Sequence, residues 1–575
     1  MARTLLHGRT FARVAPMRAK LFFYACAAVG CFLAFRLYMV QIVQGPGLAR
    51  QALAQRSDTV EVFARRGFIA DRNGTMLVRS LPSESVYAVP HDLTDPDDTV
   101  AKLQSIFGKL DPATVAALHD RTQWFLWIAR KVPIEIADRV RKMDLPGVQL
   151  KEEPTGKRID MVGDMASTVL GFVGTDENGL DGLEYQFDDL LRGQSGQVTL
   201  ETDDFGRPIP FGRETVVKPA QAGLGLELTI DSYLQFVTEE ALDQEVAKYH
   251  AKDGTAIVMD PWTGEILAMA NVPHFDPNHF WKYPQNAYRD RAVTDAYEPG
   301  STFKLVTAAA ALESGRVTLQ SRFPARDQVE IDGHVIHNAD DGMPIKGNTE
   351  TLQQIVEYSH NVGAAEVGLA TGSQVFYQME RSAGFGSASD VELPGENPGI
   401  VPPPAEWTEL SLPTMSFGQG VSATPIAMAR YYCAIANGGL LLRPRIVRAI
   451  EDQQGKVAYQ YPAEIDHRVF SEKVAAELRM LLRAVVTSGT GRGVAEIPGY
   501  TTAGKTGTAQ MVLNGQYQPG AYAASFIGMI PAEHPRYVIY VKIERPIGAY
   551  YGGTVAGPVF TKVAREAMLH AGILP

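Results

Sequence analysis

Cysteine is nearly absent from this chain, with three in 575 residues. Cys26 and Cys31 fall in an apolar run and Cys433 in a segment patterned like a buried helix, so no disulfide framework is available to hold the fold. An excess of positive charge is also lacking. The formal net charge is -11 and no stripe mixes basic with aromatic residues, which argues against a nucleic-acid partner. Neither His-Glu-x-x-His nor Gly-x-Ser-x-Gly occurs, so metalloprotease and α/β-hydrolase chemistry fall away. Two partial patterns fail on context. Gly489-Thr490-Gly491-Arg492-Gly493 imitates a dinucleotide loop but follows a helical segment rather than a strand. The acidic run from Gly174 to Gly182 misplaces the glycine of a calcium loop and reads as an ordinary loop. Nothing calls for a metal or a cofactor.

Hydrophobic residues make up 45% of the chain, enough for one or two sizeable cores and three or four domains. Residues 1–20 carry Arg3, Arg9, Arg13, Arg18 and Lys20 with no acid, and 21–43 is mostly apolar, with Arg36 its one charge. As a helix, 21–43 spans about 35 Å, with Arg36 snorkelling to the headgroups. The positive flank places the N-terminus in the cytoplasm and the remainder outside. A cleaved signal peptide and lipidation at Cys31 are the rival readings; the first lacks a small-x-small site and the second a long enough apolar run before it.

Residues 44–60 read as a helix-compatible stalk. Phe68–Ala70 and Met76–Val78 flank a turn at Asn73-Gly74 and predict two strands, with Ser85–Val89 a further strand-like stretch. Helical patterns cover Thr99–Phe107, Pro112–Leu118 and Pro133–Arg141. Gly182-Leu183-Glu184 opens another, and Glu184 is placed to pair with Arg66 or Arg192. The expected organisation is a cytoplasmic tail over 1–20, a transmembrane anchor over 21–43, a mixed pedestal module over 44–220 and a catalytic domain over 221–575. In the last, Thr255–Asp260 and Glu265–Ala270 predict a hairpin, and Thr501–Gln510, Ala521–Ile530 and Tyr537–Ile543 three more strands. Residues 300–490 are mostly helical, clearest over Ser422–Asn437 and Ser471–Ser488, and Pro558–Ala571 predicts a final helix. The fold class is α+β: a five-stranded antiparallel sheet flanked by a helical cluster, with the cleft between cluster and sheet edge.

Three stretches carry chemistry. Glu298-Pro299-Gly300-Ser301-Thr302-Phe303-Lys304 closes a loop and enters an apolar helix, so Ser301 sits at the helix N-terminus with Lys304 one turn on, on the same face. A cap and a solvated lysine would look the same, so the pair alone decides little. Ser359-His360-Asn361 follows a helical segment, Leu352–Tyr358, and Lys505-Thr506-Gly507-Thr508 lies in a strand. The ordered set Ser-x-x-Lys, Ser-x-Asn, Lys-Thr-Gly is the pattern of serine acyl-transfer. In that reading Ser301 is the nucleophile and Lys304, kept neutral by its apolar pocket, its base. Ser359 relays a proton, and Asn361 holds Lys304 and donates to a substrate amide. Lys505, Thr506 and Thr508 attract and bind a carboxylate, Gly507 leaves room for substrate, and the Ser301 and Thr508 N–H groups form the oxyanion site. His360, between two cleft residues, is expected to point away.

On these motifs the chain resembles the class B penicillin-binding proteins, the bacterial peptidoglycan D,D-transpeptidases. Arg66-Gly67-Phe68-Ile69-Ala70-Asp71-Arg72-Asn73-Gly74, Leu228-Thr229-Ile230-Asp231 and Ser416-Phe417-Gly418-Gln419-Gly420 with Thr424-Pro425 extend the resemblance over nearly the whole length. Ser525-Phe526-Ile527-Gly528, Pro531–Tyr537 and Tyr550-Tyr551-Gly552-Gly553 look like the septal, cell-division member, as do the short tail with one anchor and the lack of a C-terminal repeat module. The resemblance implies lipid-linked peptidoglycan strands as substrate, β-lactams as covalent inhibitors, and partnership with a polytopic division glycosyltransferase and other divisome membrane proteins, reached through the pedestal at the inner membrane. His360 stands where a small or thiol-bearing residue is more frequent, and Asp290 where Asn is. An elongation-type transpeptidase, a D,D-carboxypeptidase, a lactamase or β-lactam sensor, and a non-enzymatic divisome scaffold are the rival readings.

Overall fold

The computed structural model describes residues 16–202, 214–339, 344–345, 347–513 and 515–575, in two compact units. The first unit ends at Phe63 and resumes over Ser195–Gln221. Its helix Pro16–Tyr38 continues through the π-helical turn Met39–Val43, and these 28 residues are long and apolar enough to cross a membrane. The helix starts before Leu21, because a proline fits a first helical turn, where its missing N–H has no partner to lose. The rest of the expected tail, residues 1–15, lies outside the described residues. Helix Gly45–Arg56 follows, but the expected stalk turns into a strand at Ser57–Val62, where Thr59, Val60 and Val62 favour extended backbone. That strand pairs antiparallel with Gly196–Glu201, which pairs with Glu214–Lys218.

The second unit holds Ala64–Gln194 and Ala222–Pro575. Its N-terminal part contains the expected helices, here Pro96–Phe107, Pro112–His119 and Ile134–Arg141. Strands Ile69–Ala70 and Met76–Ala88 pair around the Asn73-Gly74 turn, as the sequence predicts, and the second runs on through Ser85. Leu126–Pro133 and Val148–Asp160 add strands that the sequence did not announce. Ile69–Ala70 also lies parallel to Gly225–Leu228, which pairs with Val447–Glu451, so one sheet joins segments about 380 residues apart. Its base is pinned by Glu184, buried between Arg66 and Arg158 at 2.6 Å each; Arg192 turns instead to Asp188 at 2.7 Å.

The catalytic core is the expected five-stranded antiparallel sheet. β1 (Asp253–Met259) and β2 (Ile266–Val272) form the hairpin, and β3 (Ala503–Leu513), β4 (Gln516–Ile530) and β5 (Tyr537–Glu544) complete it in the order β2-β1-β5-β4-β3. Both faces are covered, which is why β2 and β5 read as mostly apolar runs rather than alternating ones. Val258, Leu267 and Phe526 pack against helix Ser232–Lys248 and the C-terminal helix. Ile257, Met269, Ile527 and Tyr540 pack against a helical cluster that includes Pro425–Ala436 and Glu472–Thr487. The C-terminal helix runs Gly552–His570, starting before the expected Pro558, which lies inside it. Two glycines mask its start. A Cβ at Gly552 would lie 2.1 Å from Gly507 O, so the helix reaches the sheet only where side chains are absent.

Candidate active site

Ser301 lies in a 3₁₀ turn, Gly300–Phe303, that feeds α1 (Lys304–Glu313). The α-helix therefore begins at Lys304, one turn later than the sequence suggests. Gly300 takes φ +56°, and its N–H donates to Gly418 O at 3.1 Å. A Cβ on Gly300 would stand 3.1 Å from Ala509 Cβ, so this turn packs directly on β3. Two adjacent buried tyrosines hold it from behind: Tyr432 donates to Thr302 O and Tyr431 to Leu305 O, both at 2.9 Å. Glu298 accepts from the Gly420 N–H at 2.8 Å, tying the loop before Ser301 to the Ser416–Gly420 turn.

α2 (Leu352–Tyr358) starts on a capping box between Thr351 and Gln354 and ends on Ser359, a non-glycine residue at φ +63°. α3 (Asn361–Thr371) begins two residues later. The left-handed residue between the helices aims Ser359 and Asn361 toward α1. Lys304, 1% exposed, places Nζ 2.5 Å from Ser359 O, 2.8 Å from Asn361 Oδ1 and 3.2 Å from Ser359 Oγ. Lys505 on β3, fully buried, donates to Ser359 Oγ at 2.9 Å. All three motifs therefore converge on the Ser359 hydroxyl. The Asn361 amide nitrogen donates to His337 O at 2.9 Å, which leaves one of its two N–H groups for a substrate. Thr506 lies 2.9 Å from the Thr490 hydroxyl, and Thr508 Oγ1 accepts from the Gly552 N–H at 3.1 Å. His360 points away from the cleft, as expected: its buried ring pairs with the Glu350 carboxylate.

A buried polar row crosses the sheet behind the cleft. Asn271, Thr255, Lys542, Ser525 and Gly507 lie opposite one another on β2, β1, β5, β4 and β3. Thr255 donates to Asn271 Oδ1 at 3.2 Å, and Asn271 Nδ2 donates at 3.0 Å to both Thr168 and Asp290. Asp290 thus ends the row, its carboxyl pushed up to about 7 by burial. Lys542, fully buried, pairs with Glu544 at 2.6 Å and lies 4.9 Å above the Tyr297 ring. Burial raises the Tyr297 phenol, which accepts a hydrogen bond from Tyr540. Asn271, Thr255, Lys542 and Tyr297 carry no signal in the sequence, because the row exists only in the strand register.

The family models match this architecture. Residues 254–565 match the penicillin binding protein transpeptidase domain and 61–228 the penicillin-binding protein dimerisation domain. Stage V sporulation protein D of Bacillus subtilis is 34% identical over 97% of this chain and 87% of its own length. The peptidoglycan D,D-transpeptidase FtsI of Escherichia coli is 32% identical over 95% of this chain and 90% of its own. Among solved structures, penicillin binding protein 3 of Mycobacterium tuberculosis, complexed with aztreonam, is 28% identical with a TM-score of 0.69, covering 89% of this chain and 98% of that one. The chain belongs to the class B penicillin-binding-protein family. It carries a serine-type transpeptidase domain of the penicillin-binding-protein and β-lactamase superfamily, and is a D,D-transpeptidase-type, peptidoglycan-active enzyme.

Proposed function

We propose that this enzyme cross-links peptidoglycan stem peptides during septal cell-wall synthesis, through an acyl-enzyme on Ser301. The observation that carries the reading is the meeting of Lys304 and Lys505 on the single Ser359 hydroxyl beside the Ser301 turn. Lys304, uncharged, takes the Ser301 proton as Oγ attacks the carbonyl of the penultimate D-alanine. The backbone N–H groups of Ser301 and Thr508 hold the developing oxyanion. Ser359 passes a proton to the leaving amine, and terminal D-alanine departs. A neighbouring stem-peptide amine then attacks the ester and Ser301 recovers its proton. Asn361 holds Lys304 and the donor amide. Lys505, Thr506 and Thr508 grip the terminal carboxylate while Gly507 lets the peptide lie along β3. β-Lactams acylate the same serine.

The division of labour follows the proposed boundaries: a cytoplasmic tail over 1–20, an anchor over 21–43, a pedestal over 44–220 that meets the polytopic glycosyltransferase and other divisome proteins, and a periplasmic catalytic domain over 221–575. The septal assignment rests on the Tyr550–Gly553 segment, which resembles that of the septal member and begins the helix packed on β3. Two experiments test this. Purified full-length protein with lipid-linked substrate and a glycosyltransferase yields joined strands; release of D-alanine with no joining contradicts it. A fluorescent fusion concentrates at midcell; sidewall label contradicts the septal assignment.

A further inference from the structure

Ser359 closes α2 in the way helices commonly close with glycine. Its backbone is left-handed at φ +63°, and the next N–H, that of His360, donates back to Ile355 O at 3.0 Å. Glycine adopts that conformation without strain but brings no hydroxyl; serine brings the hydroxyl and is strained there. A strained residue persists only where its surroundings over-determine it. His360 supplies that hold. Its N–H ends α2, and its carbonyl opens α3 by accepting from the Ala364 N–H at 3.2 Å. Its buried ring is joined through Nδ1 to Glu350 Oε2.

Glu350 is itself fixed on three sides. It lies in strand Thr349–Thr351, opposite Phe323 of the neighbouring strand. It immediately precedes Thr351, whose capping box starts α2. A Cβ on Gly363 would stand 2.4 Å from Glu350 Oε1, so the carboxylate lies against the first turn of α3, where the helix dipole favours negative charge. The His360–Glu350 pair therefore ties the residue before α2 to the residue after Ser359 and seats both on α3. We propose that His360 and Glu350 are positioning residues for proton transfer: their pair keeps Ser359 in its left-handed conformation, with Oγ in reach of both Lys304 and Lys505. His360 points away from the cleft, so the pair governs the rate of acylation and not the binding of the acyl donor. The inference rests on the reading of Ser359 as the proton relay.

The test is acylation of the full-length protein by a labelled penicillin over a range of concentrations, which separates the first-order acylation rate from the dissociation constant of the non-covalent complex. His360→Ala lowers the rate about tenfold and leaves the constant within a factor of about two. Glu350→Leu, which offers the ring no acceptor, does the same, and carries the test if His360→Ala does not fold. Glu350→Gln keeps an acceptor oxygen and stays within about threefold of wild type. The two losses are not additive, because the residues act as one unit. The arm that separates positioning from general support of the fold is Ser359→Ala: with the hydroxyl gone, adding His360→Ala costs no further rate. Wild-type rates in His360→Ala or Glu350→Leu, a loss carried by the dissociation constant, Glu350→Gln no better than Glu350→Leu, or an undiminished loss in the Ser359→Ala background overturns the proposal and leaves the relay reading standing. Ser359→Ala acylating at the wild-type rate is the separate failure of the relay reading, and it leaves His360 no hydroxyl to position, which ends both.

Discussion

Lys505 Nζ donates to Ser359 Oγ at 2.9 Å across 146 residues of sequence. Lys304 reaches the same oxygen from α1 at 3.2 Å, so one hydroxyl joins the two amines and becomes the natural path for a proton between them. Ser359→Ala removes that path while leaving Ser301 in place. The second-order rate of acylation by a labelled penicillin should fall about a hundredfold, the usual scale of acid–base assistance. A rate within a factor of about two of wild type would show that the hydroxyl carries no proton.

Gly507 is required by what lies behind it. A Cβ there would stand 2.3 Å from Ser525 Oγ and 2.9 Å from Thr302 Cγ2. Gly507→Ala should push β3 away from the Ser301 turn and slow acylation about tenfold or more. Removing the obstructing oxygen with Ser525→Ala should recover part of the loss, measured as a double-mutant cycle. Additive losses would place the defect elsewhere.

These two residues show where the sequence is readable. Gly507 belongs to a short motif whose meaning is local, and Ser301, Lys304, Ser359, Asn361 and Lys505 were legible for the same reason. Tyr297, Tyr431 and Tyr432 were not, because their partners are backbone carbonyls or side chains on other elements, with no trace in local spacing. β2 and β5 were legible because burial on both faces leaves apolar runs between Gly and Pro turns. Leu126–Pro133 and Val148–Asp160 escaped notice because they carry Arg130, Lys131, Lys151, Glu152 and Glu153 and bury only part of their length. The start of the C-terminal helix is masked in the sequence by Gly552 and Gly553, of which close packing against β3 demands the first.

Lys542 is the cationic member of the row behind the cleft, and Glu544 depends on it. Nearby Lys542 holds the Glu544 carboxyl below its usual value against the opposing effect of burial. Lys542→Met should strand that acid beside Asp253 and destabilise the fold by about 3–5 kcal/mol, the usual loss when one member of a buried pair is removed. Thermal melting of the full-length protein measures it. An unchanged or raised melting temperature would show that the pair contributes no net stability.

His274 bridges Asp164 and Asp243 at 3.2 Å each, and its hydrogen bond to Asp243 raises its pKa to about 8. The folded value lies above the unfolded one. Its contribution is therefore fully present below about pH 6.5 and is lost as pH rises through about 8. The neighbouring Glu239, raised to about 7 by burial, also loses stability as pH rises, but over a lower window, between its ordinary value and about 7. Melting temperature should fall from about pH 7 to about pH 9 in the wild type and be flatter in His274→Gln over the same window. Parallel curves would exclude His274 as the source.

The most direct measurement is mass spectrometry of the protein digested after reaction with a labelled penicillin. The peptide carrying Ser301 should gain the mass of the opened lactam, and Ser301→Ala should gain none. Label on another residue, or no label on folded protein, would contradict the assignment of Ser301 as the acylated nucleophile.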